Sequence, residues 1–273
     1  MNYSHAFHAG NFADIVKHAA LLAVLGRMQA GGVGLRVIDT HGGRGLYDLS
    51  ASQARRSAEA ERGVARLMVA ESPPAPVLAL REAVRALAPG PGVRLYPGSP
   101  RLVADRLRPQ DELIVFELNP REAAALATAL EGQAGVQVRE ADGFEGAPAL
   151  AEGEGSRLVL IDPPFERGDD YARSAEALRQ ILARRVDATV MIWLPLKDLE
   201  TFDAFLREVE PIGPLLVAEA RLRPMRDPLR MNGCALVIAS PPEGTARDLQ
   251  AICDWTVEAL GESGESRVWR AGC

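Results

Sequence analysis

The chain has 273 residues, 47% of them hydrophobic, a formal net charge of −6 and three scattered cysteines, Cys234, Cys253 and Cys273. This composition supports a sizeable α/β core and excludes global disorder; no apolar run reaches the roughly 18 residues a membrane helix needs, and an odd, dispersed cysteine set fits a reducing compartment rather than a disulfide framework. The acidic balance gives no global attraction to nucleic acid, so any such binding must come from a local basic patch.

In chain order, the opening "MNYSHAFHAGNFAD" lacks the basic-then-apolar pattern of a secretory signal, which points to a cytoplasmic protein. The stretch "NFADIVKHAALLAVLGRM" predicts a helix, with Asn11 as N-cap and Asp14 in the first turn, where a negative charge complements the helix dipole. Ile15, Ala19, Leu22 and Ala23 form its apolar stripe. Asp14 and His18, four apart, share another face.

Residues 35–39, "LRVID", predict a buried strand that ends in "DTHGGRG". A strand, a glycine-bearing loop and a helix can cradle a ligand at the carboxyl edge of a sheet, because glycine lets backbone approach closely. The loop is not the dinucleotide fingerprint: the third glycine is missing, and Asp48 stands there instead. The next strand is delayed. Residues at about 48–94 read as a helical insertion of two or three helices on a single domain spanning 1–273, punctuated by Pro73-Pro74 and "PGPG".

Three further strand ends follow. "ELIVFEL" (112–118) delivers Glu117, an acid that can accept both hydroxyl protons of a ribose. "VQVRE" (136–140) leads into Asp142-Gly143, a loop able to meet an adenine edge. "RLVLI" (157–161) stops at Asp162-Pro163-Pro164-Phe165. Neither proline has an N–H and each restricts its neighbour, so the corner is rigid. The Asp162 carboxylate and the Pro163 carbonyl offer two acceptors and no donor, which matches an exocyclic amine with two N–H groups. Phe165 adds a face on which a base can stack. Acids and glycine loops at consecutive strand ends favour an adenosine-type cofactor.

The remaining strands are predicted at 188–194, 215–220 and 234–240. The last two are joined by "RLRPMRDPLR", 221–230, with little helical sequence, so an antiparallel final pair is expected. That loop carries Arg221, Arg223, Arg226 and Arg230 and reads either as a solvated loop or as a nucleic-acid patch. His5, His8, His18 and His41 all fall early but match no zinc spacing, and no metal is expected. A nicotinamide dehydrogenase and a non-catalytic RNA-binding protein are the rival readings. The missing glycine and the proline corner count against the first, and the intact Asp162 and Glu117 against the second.

"DTHGGRG", "FEL", "ADGF" and "DPPF" resemble the motifs of class I S-adenosylmethionine-dependent methyltransferases that act on amino groups. "YSHAFHAGNFADIVKH", "YPGSP" at 96–100 and "LIDPP" resemble, more specifically, the RlmJ family, which methylates N6 of one adenine in 23S rRNA. The likeness covers nearly the whole chain. It implies a Rossmann-like fold with a seven-stranded, mostly parallel sheet whose last strand is antiparallel. It implies S-adenosyl-L-methionine as cofactor, contacted by His18, His41, Ser99, Glu117, Asp142, Gly143 and Asp162. Asp162 becomes the catalytic residue, beside Pro163, and Tyr3, His5 and Lys17 meet the RNA. A monomer with 23S rRNA as partner is expected, with no membrane and no metal; DNA adenine or guanine N2 stay open as other amino targets. Two positions depart from the family: Phe165 replaces the usual Tyr, and Ser4 a usual basic residue.

Overall fold

The computed structural model describes residues 9–50, 59–87, 92–227 and 230–272. In chain order its elements are α1 (Phe12–Ala30), β1 (Leu35–Asp39), β2 (Leu46–Asp48), α2 (Glu59–Arg62), α3 (Val64–Val69), α4 (Ala75–Leu87), β3 (Leu95–Pro97), α5 (Ser99–Ala104), β4 (Glu112–Phe116), α6 (Pro120–Ala129), β5 (Val136–Arg139), α7 (Gly143–Leu150), β6 (Ser156–Ile161), α8 (Asp170–Arg184), β7 (Thr189–Leu196), α9 (Leu199–Val209), β8 (Leu215–Arg221), β9 (Gly233–Ala239), α10 (Thr245–Leu260) and β10 (Glu265–Ala271).

Among the described residues one sheet has the order β10-β8-β9-β7-β6-β1-β4-β5. β5, β4, β1, β6 and β7 are parallel neighbours. β9 runs antiparallel to both β7 and β8. All seven expected strands are present, and the Rossmann-like sheet has the expected antiparallel strand, β9. An eighth strand corrects the count. β10 pairs with β8 along its whole length, from Glu265 opposite Arg221 to Ala271 opposite Leu215. Its sequence, "ESRVWRA", mixes charged with apolar residues because it is a half-exposed edge strand. Charges on such an edge also discourage pairing with other chains.

The inner strands are apolar on both faces because helices cover both. Leu35, Val37, Leu113, Val115, Leu158 and Leu160 pack toward α1, α4, α5, α6 and α10. Ile38, Ile114, Phe116, Val159 and Ile161 pack toward α7, α8 and α9. Each such side chain, fully buried, stabilises the fold by about 1.5–3 kcal/mol. α1 differs from its expected single stripe. Ala13 to Leu22, Val24 and Leu25 are all buried, while Ala23 is only partly so. The cause is its position, enclosed by α4, α5, α10 and β9. Asn11 does cap it, accepting the Asp14 N–H at 3.0 Å.

The long connection after β1 starts and ends in a two-stranded ladder of β2 with β3, and α2, α3 and α4 lie between. The Val64 N–H donates to the Gly10 carbonyl at 2.8 Å, which ties α3 to the start of α1. Strand order reverses at β1, whose neighbours β4 and β6 lead to opposite halves of the sheet. A ligand crevice belongs outside the carboxyl ends of the strands at such a switch point.

Candidate active site

The crevice is there. A cavity of about 1230 Å³ opens over the ends of β1, β4, β5 and β6, with α1 along one wall. His18, His41, Ser99, Glu117, Asp142, Gly143, Asp162, Pro163, Phe165 and Lys17 all line it. Tyr3 and His5 lie outside the described residues.

At the end of β1 the chain turns sharply. Asp39 is buried and accepts the Ser99 hydroxyl at 2.6 Å and the His41 N–H at 3.2 Å. Burial pushes its carboxyl up to about 6, against the pull of those donors. The Thr40 hydroxyl donates to the Leu160 carbonyl at 3.0 Å and lies 2.7 Å from His41 Nδ1. Burial lowers the His41 pKa to about 4, so the ring is neutral at pH 7. Gly43 has φ +58, the left-handed region where glycine carries no steric penalty. That conformation aims its N–H at Glu117 Oε2, 2.9 Å away.

Glu117 is held from both sides, because Oε1 accepts the Asn119 N–H at 2.7 Å. Burial nonetheless raises its pKa from the ordinary carboxylate value. The adjoining Asp142 caps α7 through the Phe144 N–H at 3.0 Å and pairs with Arg173 at 2.8 Å. Burial works against its charge, yet Arg173 and these amides hold its pKa below the ordinary value. Arg173 in turn lies over the Phe144 ring, 4.5 Å from its centroid, and His41 meets that ring edge-on at 4.7 Å. His18, a second buried histidine, shares its Nδ1 with the Tyr96 hydroxyl at 2.8 Å.

The β6 corner is built differently. Asp162 Oδ2 lies 2.6 Å from Lys17 Nζ, and the same ammonium reaches Asp14 Oδ1 at 2.9 Å. Burial disfavours the Lys17 charge, but the two carboxylates outweigh it and raise its pKa well above the usual lysine value. Asp14 also accepts the Gly10 N–H at 2.9 Å, so one buried network joins the segment before α1 to the corner. Phe165 adopts φ +50, a costly conformation for a bulky residue that persists only where surroundings enforce it. Its ring packs on Tyr171 at 4.7 Å and Trp193 at 5.9 Å. Lys17 Nζ also sits 5.7 Å from the Trp193 ring centre.

Sequence reasoning did not assign Asp14, Arg173 or Trp193 to the site. Asp14 was legible only as a first-turn acid, and its i, i+3 spacing to Lys17 was the available clue. Trp193, in the middle of β7 beside β6, was visible as an aromatic among aliphatics. Arg173 carried no local signal.

The arrangement suits S-adenosylmethionine. Glu117 lines the cavity with both oxygens already oriented by amides, the arrangement a ribose acceptor needs, and Asp14 and Asp162 share the wall with Lys17 between them.

Comparison with known proteins agrees with this geometry. The family described as "Ribosomal RNA large subunit methyltransferase D, RlmJ" matches residues 33–271. The "Ribosomal RNA large subunit methyltransferase J" of Haemophilus influenzae is 30% identical over 268 residues, covering 97% of this chain and 95% of that protein. The protein of the same description in Escherichia coli K12 is 28% identical over 97% of this chain and 95% of its own length. A crystal structure of a Legionella pneumophila protein superposes with a TM-score of 0.89 at 26% identity, covering 97% of this chain and 98% of that one. The strand-end acids, the proline corner and α1 thus sit in a chain that belongs to the RlmJ family of ribosomal RNA large subunit methyltransferases.

Proposed function

We infer that the protein methylates the N6 amino group of an adenine in large-subunit 23S rRNA, using S-adenosyl-L-methionine. The observation that carries the reading is the corner after β6. There a carboxylate and a proline carbonyl share a cavity with an amide-held glutamate and an aromatic ring.

The cofactor, when bound, supplies an electrophilic methyl group on a positively charged sulfur. Glu117 holds the ribose hydroxyls, and Asp142-Gly143 and His41 border the adenine end. The target adenine must leave its stack to enter the cavity. Lys17 occupies Asp162 Oδ2, which leaves Oδ1 to accept one N–H of the amine while the Pro163 carbonyl accepts the other. These two bonds draw the nitrogen toward tetrahedral geometry and free its lone pair. The carboxylate then stabilises the positive charge that develops on nitrogen as it takes the methyl group, and the surplus N–H proton is lost to water. Phe165 supplies the stacking face, with Trp193 and Tyr171 behind it. A sulfonium is already activated, so no metal is needed. One chain provides every group named here, so a monomer suffices, and a ribosomal RNA substrate fits a cytoplasmic enzyme.

Mass mapping of rRNA in cells with and without the gene tests this reading. Loss of one N6-methyladenine from 23S rRNA is expected. An unchanged 23S rRNA, or the loss of a methylated guanine, contradicts it.

A further inference from the structure

The arginine-rich stretch at 221–230 does not lie apart from the active site. The cavity that holds Asp162 is also lined by Lys197, which follows β7, and by Arg223 and Arg230, from the β8–β9 connection. It is also lined by Arg62 of α2 and Arg66 of α3. Backbone contacts fix these pieces to one another. Asn232 donates its N–H to the Leu196 carbonyl at 2.8 Å and its side-chain amide to the Lys197 carbonyl at 3.0 Å. The Glu262 N–H reaches the Leu222 carbonyl at 2.6 Å, and Arg66 reaches the Ala259 carbonyl at 3.4 Å.

Some cations elsewhere on the chain are consumed by acids. Arg27 pairs with Asp248, Arg36 with Glu112, Arg44 with Glu122 and Arg185 with Asp187, each at 2.6–2.7 Å. Arg62, Lys197 and Arg223 have no acidic partner among the described residues, and the buried Nε of Arg223 has no acceptor. The chain carries 37 acids against 31 lysines and arginines, so a polyanion must be met by a local group of cations and not by net charge. The other end of the cavity carries Glu117, Glu122 and Asp142, of which Glu122 and Asp142 are already paired with Arg44 and Arg173. Three unpaired cations on three separate segments fit several spaced anionic groups better than one small anion.

We propose that Arg62, Lys197 and Arg223 grip the phosphate backbone of the RNA strand that flanks the flipped adenine. The strand then lies between α2–α3 and the β8–β9 connection. This rests on the RNA reading above and deepens it, by naming the surface that lets an acidic protein hold a polyanion. Arg226 belongs to the same loop and is exposed, but it does not line the cavity. It has no part in the grip.

The test combines Arg62→Gln, Lys197→Gln and Arg223→Gln in the full chain, with Arg226→Gln as a control inside the same loop. Transcribed 23S rRNA and S-adenosylhomocysteine are the probes. Each lost phosphate contact lowers the slope of log affinity against log salt by about 0.7, so the triple variant should lose about 2 from the slope. The KM for RNA should rise on the order of tenfold or more near physiological salt. The kcat at saturating RNA and the affinity for S-adenosylhomocysteine should stay at wild-type values, and Arg226→Gln should match wild type throughout. A triple variant with the wild-type slope, or an Arg226→Gln loss equal to the triple loss, overturns the proposal while RNA methylation by the wild type still stands. A wild-type protein that neither binds nor methylates RNA removes the functional reading, and this proposal with it.

Discussion

The two ends of the cleft hold their carboxylates by different means. Over β4 and β5, Glu117 and Asp142 accept backbone N–H groups from Gly43, Asn119 and Phe144, so the fold itself sets their positions. Over β6, Asp162 and Asp14 share one ammonium, Lys17, that arrives from a helix 145 residues away in sequence. An acid fixed by amides survives the loss of any one side chain. A pair of acids around a single lysine does not. The end over β4 and β5 is therefore built into the sheet, and the end over β6 depends on how α1 docks.

That contrast can be broken most severely at Lys17. Lys17→Met leaves two buried carboxylates without their cation, and such a loss costs about 3–5 kcal/mol. A thermal melt should show the largest drop of any substitution in the cleft, and a melt like wild type contradicts the network. Glu117→Ala should spare the fold and weaken S-adenosylhomocysteine binding by about 1.5–3 kcal/mol in calorimetry, while RNA affinity holds. Phe165→Ala should do the converse, losing about 1–3 kcal/mol of RNA binding with its stacking face. Equal losses for RNA and cofactor in that variant argue against stacking.

The smallest effect is a pH dependence at the end of β1. Asp39, near 6 when folded, keeps its proton where the unfolded chain has lost it, so its contribution makes stability fall as pH rises from about 4 to 6. His41, near 4 when folded, stays neutral where the unfolded chain is protonated, so its contribution rises from about pH 4 to 6.5. Each slope approaches about 1.4 kcal/mol per pH unit, and the two oppose one another. Asp39→Asn should expose the rising slope and His41→Gln the falling one in denaturation at a series of pH values. Two profiles indistinguishable from wild type contradict the assignment.

The same contrast explains what the sequence made legible. Seven strands announced themselves because each centres on a short apolar run bounded by polar or turn residues, and in the inner ones both faces are covered. β10 did not, because "ESRVWRA" satisfies a half-exposed edge and carries charge. β2 and β3 are three residues each, too short for any period to register. At the site, Glu117, Asp142 and Asp162 could be read because each closes a strand and local turn chemistry marks it. The Lys17 ammonium between Asp14 and Asp162 could not, since only the packing of α1 against the sheet brings it there. Arg173 was invisible for the same reason, as a helix residue whose partner, Asp142, comes from another loop. Phe165 was legible as an aromatic, but its left-handed backbone was not.

The central claim is that the Asp162 corner receives an adenine amine. Its most direct measurement incubates the purified protein, or its Asp162→Asn variant, with labelled S-adenosylmethionine and protein-free 23S rRNA, then identifies the methylated nucleoside by mass spectrometry after digestion. The expected result is N6-methyladenosine from the wild type and a fall of about 10²-fold or more in the variant, with S-adenosylhomocysteine still bound. Methyl transfer to a different nucleoside, or an Asp162→Asn variant as active as wild type, contradicts the account.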